Sequence, residues 1–162
     1  MDLLPNTPIV GRSSFQTAVR DLLAEAAASG WRELVLCDPD FEAWPLGESS
    51  VIDSLTAWAG PQRSLTLLAL HFDTVLRRHP RFVAWRGRWS HLVTCRALQD
   101  LQADDVPVVA LAPAALVLRV FEPLRHRGIL SRDPADRVLA AEQIDAISQR
   151  SAEAFPATSL GL

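Results

Sequence analysis

The sequence lacks two residue types altogether. All 16 basic residues are arginines, so the chain has no lysine, and it also has no tyrosine. The first absence excludes Schiff-base chemistry, a P-loop lysine and a lysine general base. The second excludes a tyrosine general acid or nucleophile.

Cysteines and long apolar runs are also scarce. Cys37 and Cys95 are the two cysteines, and no CxxC motif occurs, which argues against a zinc ribbon or a thioredoxin-type site. Both lie in apolar surroundings and are predicted to be buried, reduced thiols; a catalytic cysteine is the alternative, although no nearby base is evident. The longest apolar run, 106–118, contains two prolines and is too short to span a membrane. The first five residues do not resemble a signal peptide, so the expected location is the cytoplasm, with no membrane contact.

What is present is typical of one globular domain. The chain has 162 residues, of which 49 % are hydrophobic and 22 % charged. Residues 1–12 are predicted to form a polar arm and residues 13–162 a single domain. Apolar periodicity gives the order α-β-α-β-α-β-β-β-α, which predicts an α/β fold with a layered mixed sheet flanked by helices.

The predicted elements follow from apolar spacing and from Gly, Pro and Asp boundaries. Helices are expected over 13–29, 48–60, 74–89 (broken at Pro80) and 133–155, and strands over 31–37, 65–72, 91–95, 106–112 and 115–121. The last two strands form a tight hairpin, and 123–132 is expected to be a basic loop. In the last helix the predicted core positions are Val138, Leu139, Ile144 and Ile147.

Three segments resemble one half of a phospholipase-D-like domain, as found in a group of uncharacterised bacterial proteins. They are ELVLCDPDFEAWPL (Glu33–Leu46), LTLLALHFD (Leu65–Asp73) and the ending ISQRSAEAFPATSLGL (Ile147–Leu162). The resemblance spans residues 13–162. It implies a phospholipase-D-like half-domain fold. Because such half-domains complete their groove with a second copy, it also implies a homodimer that pairs through the hairpin and the last helix.

The resemblance argues against the activity of that family. Its phosphodiesterases use a His-x-Lys-(x)4-Asp motif, in which the histidine attacks phosphorus and the lysine stabilises the anionic transition state. In this chain the corresponding positions are Asp105, Pro107 and Ala112. A shifted register does not restore the motif, since no histidine lies between His91 and His126. The sequence therefore predicts a protein without catalysis and without a cofactor.

The strongest charge feature lies between Asp73 and Asp100, where no acidic residue occurs. This segment carries six arginines and two histidines, with Trp85 and Trp89 interspersed. Arginine binds phosphate bidentately and aromatic rings stack on bases, so five of the arginines are candidate anion- or nucleic-acid-binding residues: Arg77, Arg78, Arg81, Arg86 and Arg88. Two other interpretations stay open. The arginines form a solvated face that pairs with acidic residues elsewhere while both tryptophans lie in the core, or they form a protein interface.

Outside that segment, Asp38, Asp40 and Glu42 alternate after a predicted strand. Ligand sites in α/β sheets often lie at such strand ends, so these carboxylates are candidates for Mg²⁺ binding or acid–base catalysis; ordinary turn formation is the other interpretation. His71 is predicted to be a hydrogen-bonded core histidine, and the scattered histidines show no zinc spacing. A second basic group consists of Arg119, Arg125, Arg127 and Arg132, and would strengthen the anion hypothesis if it folded beside the first.

Two functional hypotheses follow. The first is a non-catalytic phospholipase-D-like binding or adaptor domain that contacts a phosphate-bearing ligand, such as nucleic acid, or a protein partner. The second is a metal-dependent hydrolase using Asp38, Asp40 and Glu42. The first predicts salt-dependent binding that needs no metal, and the second predicts stabilisation by divalent metal.

Overall fold

Continuous apolar runs build the centre of an eight-stranded mixed sheet. The computed structural model describes residues 6–156. The strands are β1 Thr7–Val10, β2 Glu33–Cys37, β3 Ser64–Ala69, β4 Val93–Leu98, β5 Val108–Ala112, β6 Leu116–Glu122, β7 Arg127–Ser131 and β8 Ser151–Glu153. The helices are α1 Arg12–Ser29, α2 Ser49–Trp58, α3 Asp73–Arg78, α4 Pro80–Arg88 and α5 Pro134–Ser148, with a 3₁₀ turn at Ala103–Asp105.

The sheet order is β1-β7-β6-β5-β2-β3-β4-β8. β2, β3 and β4 are parallel neighbours, whereas the other pairs are antiparallel. Parallel strands need crossover connections, and α2 and the α3–α4 pair provide them. The layered α/β fold with a mixed sheet is therefore confirmed.

Both faces of the sheet are covered. In β2, Leu34 and Leu36 face the larger core with α1, α2 and α4, whereas Val35 and Cys37 face the smaller core under α5. The same two-residue alternation continues in β5 and β6. A strand buried on both faces must be apolar at every position, which is why the central strands were evident in the sequence.

The predicted hairpin is confirmed, with Ala112 opposite Leu116 across the Pro113–Ala115 turn. Helix α5 begins as predicted, because the Asp133 carboxylate accepts the Ala135 amide and Pro134 stands in the first turn. The break at Pro80 is also confirmed, since it separates α3 from α4.

Several predictions are wrong at the edges of the sheet. Part of the expected arm, Thr7–Val10, is an edge strand paired with β7. The expected basic loop contains β7 itself, and helix α5 ends at Ser148 rather than near Phe155, so that the chain adds β8 beside β4. The rest of the expected arm, residues 1–5, and the tail 157–162 lie outside the described residues.

The predicted core face of α5 is also partly wrong. Ala140 and Ile144 are buried and Ile147 packs beside them, but Val138 and Leu139 are 58 % and 54 % exposed. The tryptophans are used in the core: Trp44, Trp58 and Trp85 are fully buried. Among the described helices, none combines the length and the hydropathy needed to cross a membrane.

Candidate anion-binding surface and the pocket beside β2

The arginine segment folds into the α3–α4 pair and β4, and the structure divides its cations into three groups. Arg77, Arg78, Arg81 and Arg88 are exposed. Arg86 is buried at 6 % exposure on the inner side of α4. Arg96 lies on β4, where its Nε and Nη2 donate to the Oγ and carbonyl oxygen of Ser151 at 2.7 and 2.9 Å, so it joins β4 to β8.

Local sequence explains this division. Phe82, Trp85 and Arg86 are spaced three and four residues apart, so they share one side of α4 and face the core. Arg81 and Arg88 are seven residues apart and share the opposite, exposed side, with about 10 Å between their levels on the helix. Arg77 and Arg78 end α3 just before α4 begins, so their cations also offset the negative helix terminus.

In the part of the chain that the structure describes, the four exposed arginines of α3 and α4 have no acidic partners. Within residues 6–156, no carboxylate lies within 4.0 Å of the guanidinium groups of Arg77, Arg78, Arg81 or Arg88. Arg81 Nη1 donates to the carbonyl oxygen of Gly47 at 3.0 Å, which fixes the side chain and leaves its charge uncompensated. We call these four residues the arginine surface. The structure thus disagrees with the interpretation in which these arginines pair with acidic residues elsewhere.

The second basic group does not reinforce this surface. Arg119 and Arg127 belong to β6 and β7, and Arg125 lies in the turn between these strands. In the sheet order β6 is four strands away from β4, which is about 19 Å at the usual strand spacing. The second basic group therefore does not fold beside the first, and it does not strengthen the anion hypothesis.

The acidic triplet after β2 is engaged in turn formation. The Asp38 Oδ2 atom accepts the amides of Asp40 and Phe41 at 3.0 and 2.7 Å, and Asp40 Oδ1 accepts the amide of Glu42 at 3.0 Å. Burial raises the pKa of Asp38, although these amides and Trp44 oppose the shift. Among the described residues no group of three acidic, histidine or cysteine side chains is arranged to hold a metal ion.

Aromatic packing stabilises this turn. Phe41 adopts φ 63° and is fully buried against Trp44, with ring centroids 5.0 Å apart. The carbonyl oxygen of Phe41 lies 2.9 Å from Nε2 of His79, which is buried. His79 is therefore the hydrogen-bonded core histidine, whereas the prediction for His71 is wrong: His71 is exposed, 4.0 Å from Asp73.

A cavity of about 560 Å³ opens beside the end of β2 and the start of β5. Its acidic lining consists of Asp38, Asp40, Glu42 and Asp104, and His126 also faces it. Burial, followed by the nearby Arg12 cation, lowers the pKa of His126. The lowered pKa favours the uncharged form of this histidine, and the acidic side chains therefore outnumber the cations around the cavity, where Arg12 lies 4.0 Å from Glu42.

The motif positions lie next to this cavity. Asp105 ends the 3₁₀ turn before β5, and its Oδ2 accepts the Gln102 amide at 2.9 Å. Pro107 directly precedes β5, and Ala112 is fully buried at the far end of that strand. Asp105 carries a carboxylate, but none of these side chains supplies the imidazole nucleophile or the lysine cation of the motif.

The two thiols are buried, as predicted. Burial raises the pKa of Cys37 beyond the range in which a thiolate forms, and raises that of Cys95 to about 11. Both are therefore protonated at neutral pH, which argues against a thiolate nucleophile.

The chain matches no protein-family model and no curated protein sequence. Its fold is similar to that of several solved structures. TrmBL2, an archaeal chromatin protein whose structure shows a novel mode of DNA binding, superposes with a TM-score of 0.67 at 14 % identity, over 95 % of this chain and 55 % of TrmBL2. The chain therefore spans about half the length of that protein.

Two enzyme-family structures are similar over their whole length. Nuc from Salmonella typhimurium, a phospholipase D family member, has a TM-score of 0.58 at 10 % identity over 92 % of this chain and 98 % of Nuc. NucT from Helicobacter pylori has a TM-score of 0.59 at 9 % identity, with the same two coverages. The fold is therefore phospholipase-D-like, as the sequence resemblance implied.

Proposed function

We propose that this protein is a non-catalytic phospholipase-D-like module that binds a phosphate-bearing polymer, nucleic acid, through the arginine surface. The observation that carries the proposal is the set of four exposed arginines on one helical pair without an acidic partner in the described chain. A solvated structural face would gain by interspersing both charge signs, whereas a concentration of one sign suits an extended anion.

Nucleic acid fits this surface because it presents phosphates at regular intervals. Arg81 and Arg88 lie about 10 Å apart along one side of α4, and Arg77 and Arg78 extend the surface beyond its first turn. Guanidinium groups bind phosphate oxygens bidentately and stay charged at any physiological pH. TrmBL2, which has a similar fold, is described as binding DNA, and this supports nucleic acid as the ligand to test.

The absence of catalysis is supported by the cavity beside β2. A phosphodiester carries negative charge, and the four carboxylates that line this cavity repel it. The chain has no lysine, and the lowered pKa of His126 favours its uncharged form. The nearby cation, Arg12, pairs with Glu42 at 4.0 Å rather than standing free to stabilise a pentacoordinate phosphorus. The acidic cavity and the arginine surface therefore favour binding at α3–α4 rather than reaction beside β2.

The test is fluorescence anisotropy with labelled single- and double-stranded oligonucleotides. The test variant is Arg77→Ala/Arg78→Ala/Arg81→Ala. The matched control is Arg32→Ala/Arg125→Ala/Arg150→Ala, which removes the same charge from exposed positions elsewhere. Four phosphate contacts give a loss of affinity between about 50 and 200 mM salt of roughly 150-fold for duplex DNA and roughly 50-fold for a single strand.

The test variant is expected to lose binding at both salt concentrations, while the control keeps most of it. Failure of the wild type to bind at low salt would remove nucleic acid as a ligand. An equal loss in the control variant would show that only net charge matters and would overturn the assignment to α3–α4.

A second candidate, a protein interface that forms a homodimer, is favoured by a different observation. Val138 and Leu139 of α5 are more than half exposed, and Phe121 and Leu124 near the β6–β7 turn are 59 % and 100 % exposed. These lie on the last helix and next to the hairpin, the elements where the resemblance implied pairing. Isolated exposed apolar residues are ordinary, but two neighbouring ones on a helix favour a contact.

Light scattering coupled to size exclusion tests the homodimer. The wild type is expected to elute as a dimer and Leu139→Asp as a monomer. Val10→Asp is the control, since Val10 is 63 % exposed on the edge strand β1. A monomeric wild type at high micromolar concentration would contradict this candidate.

A further inference from the structure

Within residues 6–156, Arg86 is a buried cation with no carboxylate oxygen within 4.0 Å of its guanidinium group. It is 94 % buried in the last turn of α4, since its exposure is 6 %. Its Nε and Nη1 atoms have no accessible surface and no hydrogen-bond partner within residues 6–156. A buried guanidinium with two donors that make no hydrogen bond lowers the stability of a fold, so its presence needs a physical reason.

The neighbouring groups do not neutralise it. The guanidinium carbon lies 5.6 Å from the centre of the Phe155 ring, which gives a cation–π contact but no hydrogen bond. The thiol of Cys95 is hydrogen-bonded to Arg86, but burial raises the pKa of this thiol to about 11 against the opposing effect of the arginine, and it therefore carries no negative charge at neutral pH. The carbonyl groups that end α4 supply only partial negative charge.

Arg86 lines a cavity of about 570 Å³ between the end of α4 and the β4–β8 edge. Ser90 and Thr94 contribute hydroxyl groups to the same cavity. Glu153 also lines it, but no oxygen of this carboxylate comes within 4.0 Å of the guanidinium in the described structure. The cavity thus combines one buried cation, two hydroxyl groups and one acidic residue that leaves the cation unpaired.

We infer that Arg86 anchors a binding site for a small tetrahedral oxyanion, namely inorganic phosphate or the phosphate group of a monoester. Such an anion accepts from the hydroxyl groups of Ser90 and Thr94, and its charge compensates that of the Arg86 guanidinium, which lines the same cavity. It supplies the negative charge that residues 6–156 do not place within 4.0 Å of the Arg86 guanidinium.

This site is separate from the arginine surface. Arg86 lies five residues from Arg81 and two from Arg88, which places it roughly 140–160° around α4 from both. The sequence grouped all five arginines as one anion-binding set, and the structure corrects this by turning Arg86 inward.

The experiment is a series of thermal melts in phosphate and in chloride at constant ionic strength, supported by calorimetric titration of phosphate. The test variant is Arg86→Met, which keeps the length and packing of the side chain and removes the charge. Arg32→Met is the matched control on an exposed arginine. Wild-type Tm is expected to rise with the logarithm of the phosphate concentration above its Kd, by roughly 5–10 °C when phosphate exceeds that Kd about a hundredfold. Parallel titrations with glycerol phosphate distinguish a monoester from the free ion as the preferred ligand.

Arg86→Met is expected to lose this rise and to be at least as stable as the wild type in chloride, whereas Arg32→Met keeps the rise. A phosphate response in Arg86→Met equal to that of the wild type would overturn the proposal. A wild type whose Tm does not change in phosphate would also overturn the proposal. The same holds for an Arg86→Met variant that is less stable than the wild type in chloride and still gains Tm in phosphate.

Glu153→Gln gives a second measurement that does not depend on Arg86→Met folding. Removing the carboxylate from the cavity is expected to lower the Kd for phosphate severalfold, because the anion no longer meets a like charge. If the carboxylate instead pairs with Arg86 in solution, this substitution lowers stability in chloride without tightening phosphate binding, and the proposal fails. The variant that lacks Arg77, Arg78 and Arg81 keeps the phosphate response in either case, so failure of the nucleic-acid proposal is a separate result.

Discussion

The ion pair between Glu25 and Arg132 gives the sharpest stability prediction. Arg132 Nη2 donates to Glu25 Oε1 at 2.7 Å and thereby joins α1 to the segment between β7 and α5. The side chains are 9 % and 20 % exposed, and the second carboxylate oxygen, Oε2, is buried with no hydrogen bond in the described chain. Because Glu25 depends on this contact, removal of the arginine leaves a buried carboxylate with little compensation.

We expect Arg132→Met to lower the free energy of unfolding by about 3 kcal/mol, which is roughly 6–12 °C in Tm for a chain of this size. Glu25→Gln should cost less, about 1 kcal/mol, because the amide oxygen still accepts from an arginine that reaches solvent. The double variant Glu25→Leu/Arg132→Met should return to within about 1 kcal/mol of the wild type, since a well-packed apolar pair replaces the ions.

Urea denaturation followed by tryptophan fluorescence measures all three variants, because the chain has five tryptophans and three are fully buried. A loss below about 0.5 kcal/mol for Arg132→Met would place the pair among weak surface contacts and refute the burial argument. A double variant less stable than either single one would show that apolar packing cannot replace the pair.

Three further predictions concern Asp38, Gly128 and divalent metal ions. Asp38→Asn should equal or exceed wild-type stability at pH 7 while Asp38→Ala loses about 1–3 kcal/mol, because asparagine still accepts the two amides. Burial raises the pKa of Asp38 in the folded state, so the wild type loses stability as pH rises from the unfolded pKa near 3.8 through the folded pKa. Asp38→Asn should remove this dependence of Tm on pH in melts at several pH values. Gly128→Ala should cost about 2–3 kcal/mol by denaturation, because its new Cβ would lie 1.9 Å from the Arg119 carbonyl oxygen; Gly60→Ala, with open space around it, should be near neutral. Mg²⁺ or Mn²⁺ should leave Tm unchanged, and a metal-induced rise that Asp38→Ala abolishes would instead support the metal-dependent hydrolase.

The central fold was predictable because burial on both faces leaves an unmistakable apolar run. Leu34–Leu36 and the hairpin strands are such runs, and turn residues mark their ends. The outer strands carry a weaker apolar signal. Residues 7–10 contain a proline, residues 127–131 contain arginine and glycine, and residues 151–153 form only three positions of ladder. The two edge strands, β1 and β8, also pair with neighbours distant in sequence, which a local pattern does not contain.

The composition of the candidate site could be predicted from the sequence, but its geometry could not. The absence of carboxylates between Asp73 and Asp100 is visible in the sequence, but whether acidic residues from other elements approach these arginines is a tertiary property. A signal for Arg86 was present: Phe82, Trp85 and Arg86 follow the spacing of one helix face, and both aromatic residues demand burial. A cation on the apolar side of an amphipathic helix is itself the indication of an internal partner or an internal ligand.

The charge balance of the whole chain limits how the arginine surface works. The segment 74–99 carries +6 and the remainder −9, which together give the net charge of −3. A polyanion is therefore repelled by most of the molecule and attracted by one helical pair. As salt rises, both effects are screened, since the Debye length falls from about 14 Å near 50 mM to about 7 Å near 200 mM. The salt dependence of wild-type binding should consequently be shallower than four phosphate contacts alone would give. Neutralising the acidic cavity with Asp40→Asn/Glu42→Gln should steepen it. An unchanged salt dependence in this variant would show that the bound strand lies too far from the cavity beside β2 to be repelled by its carboxylates.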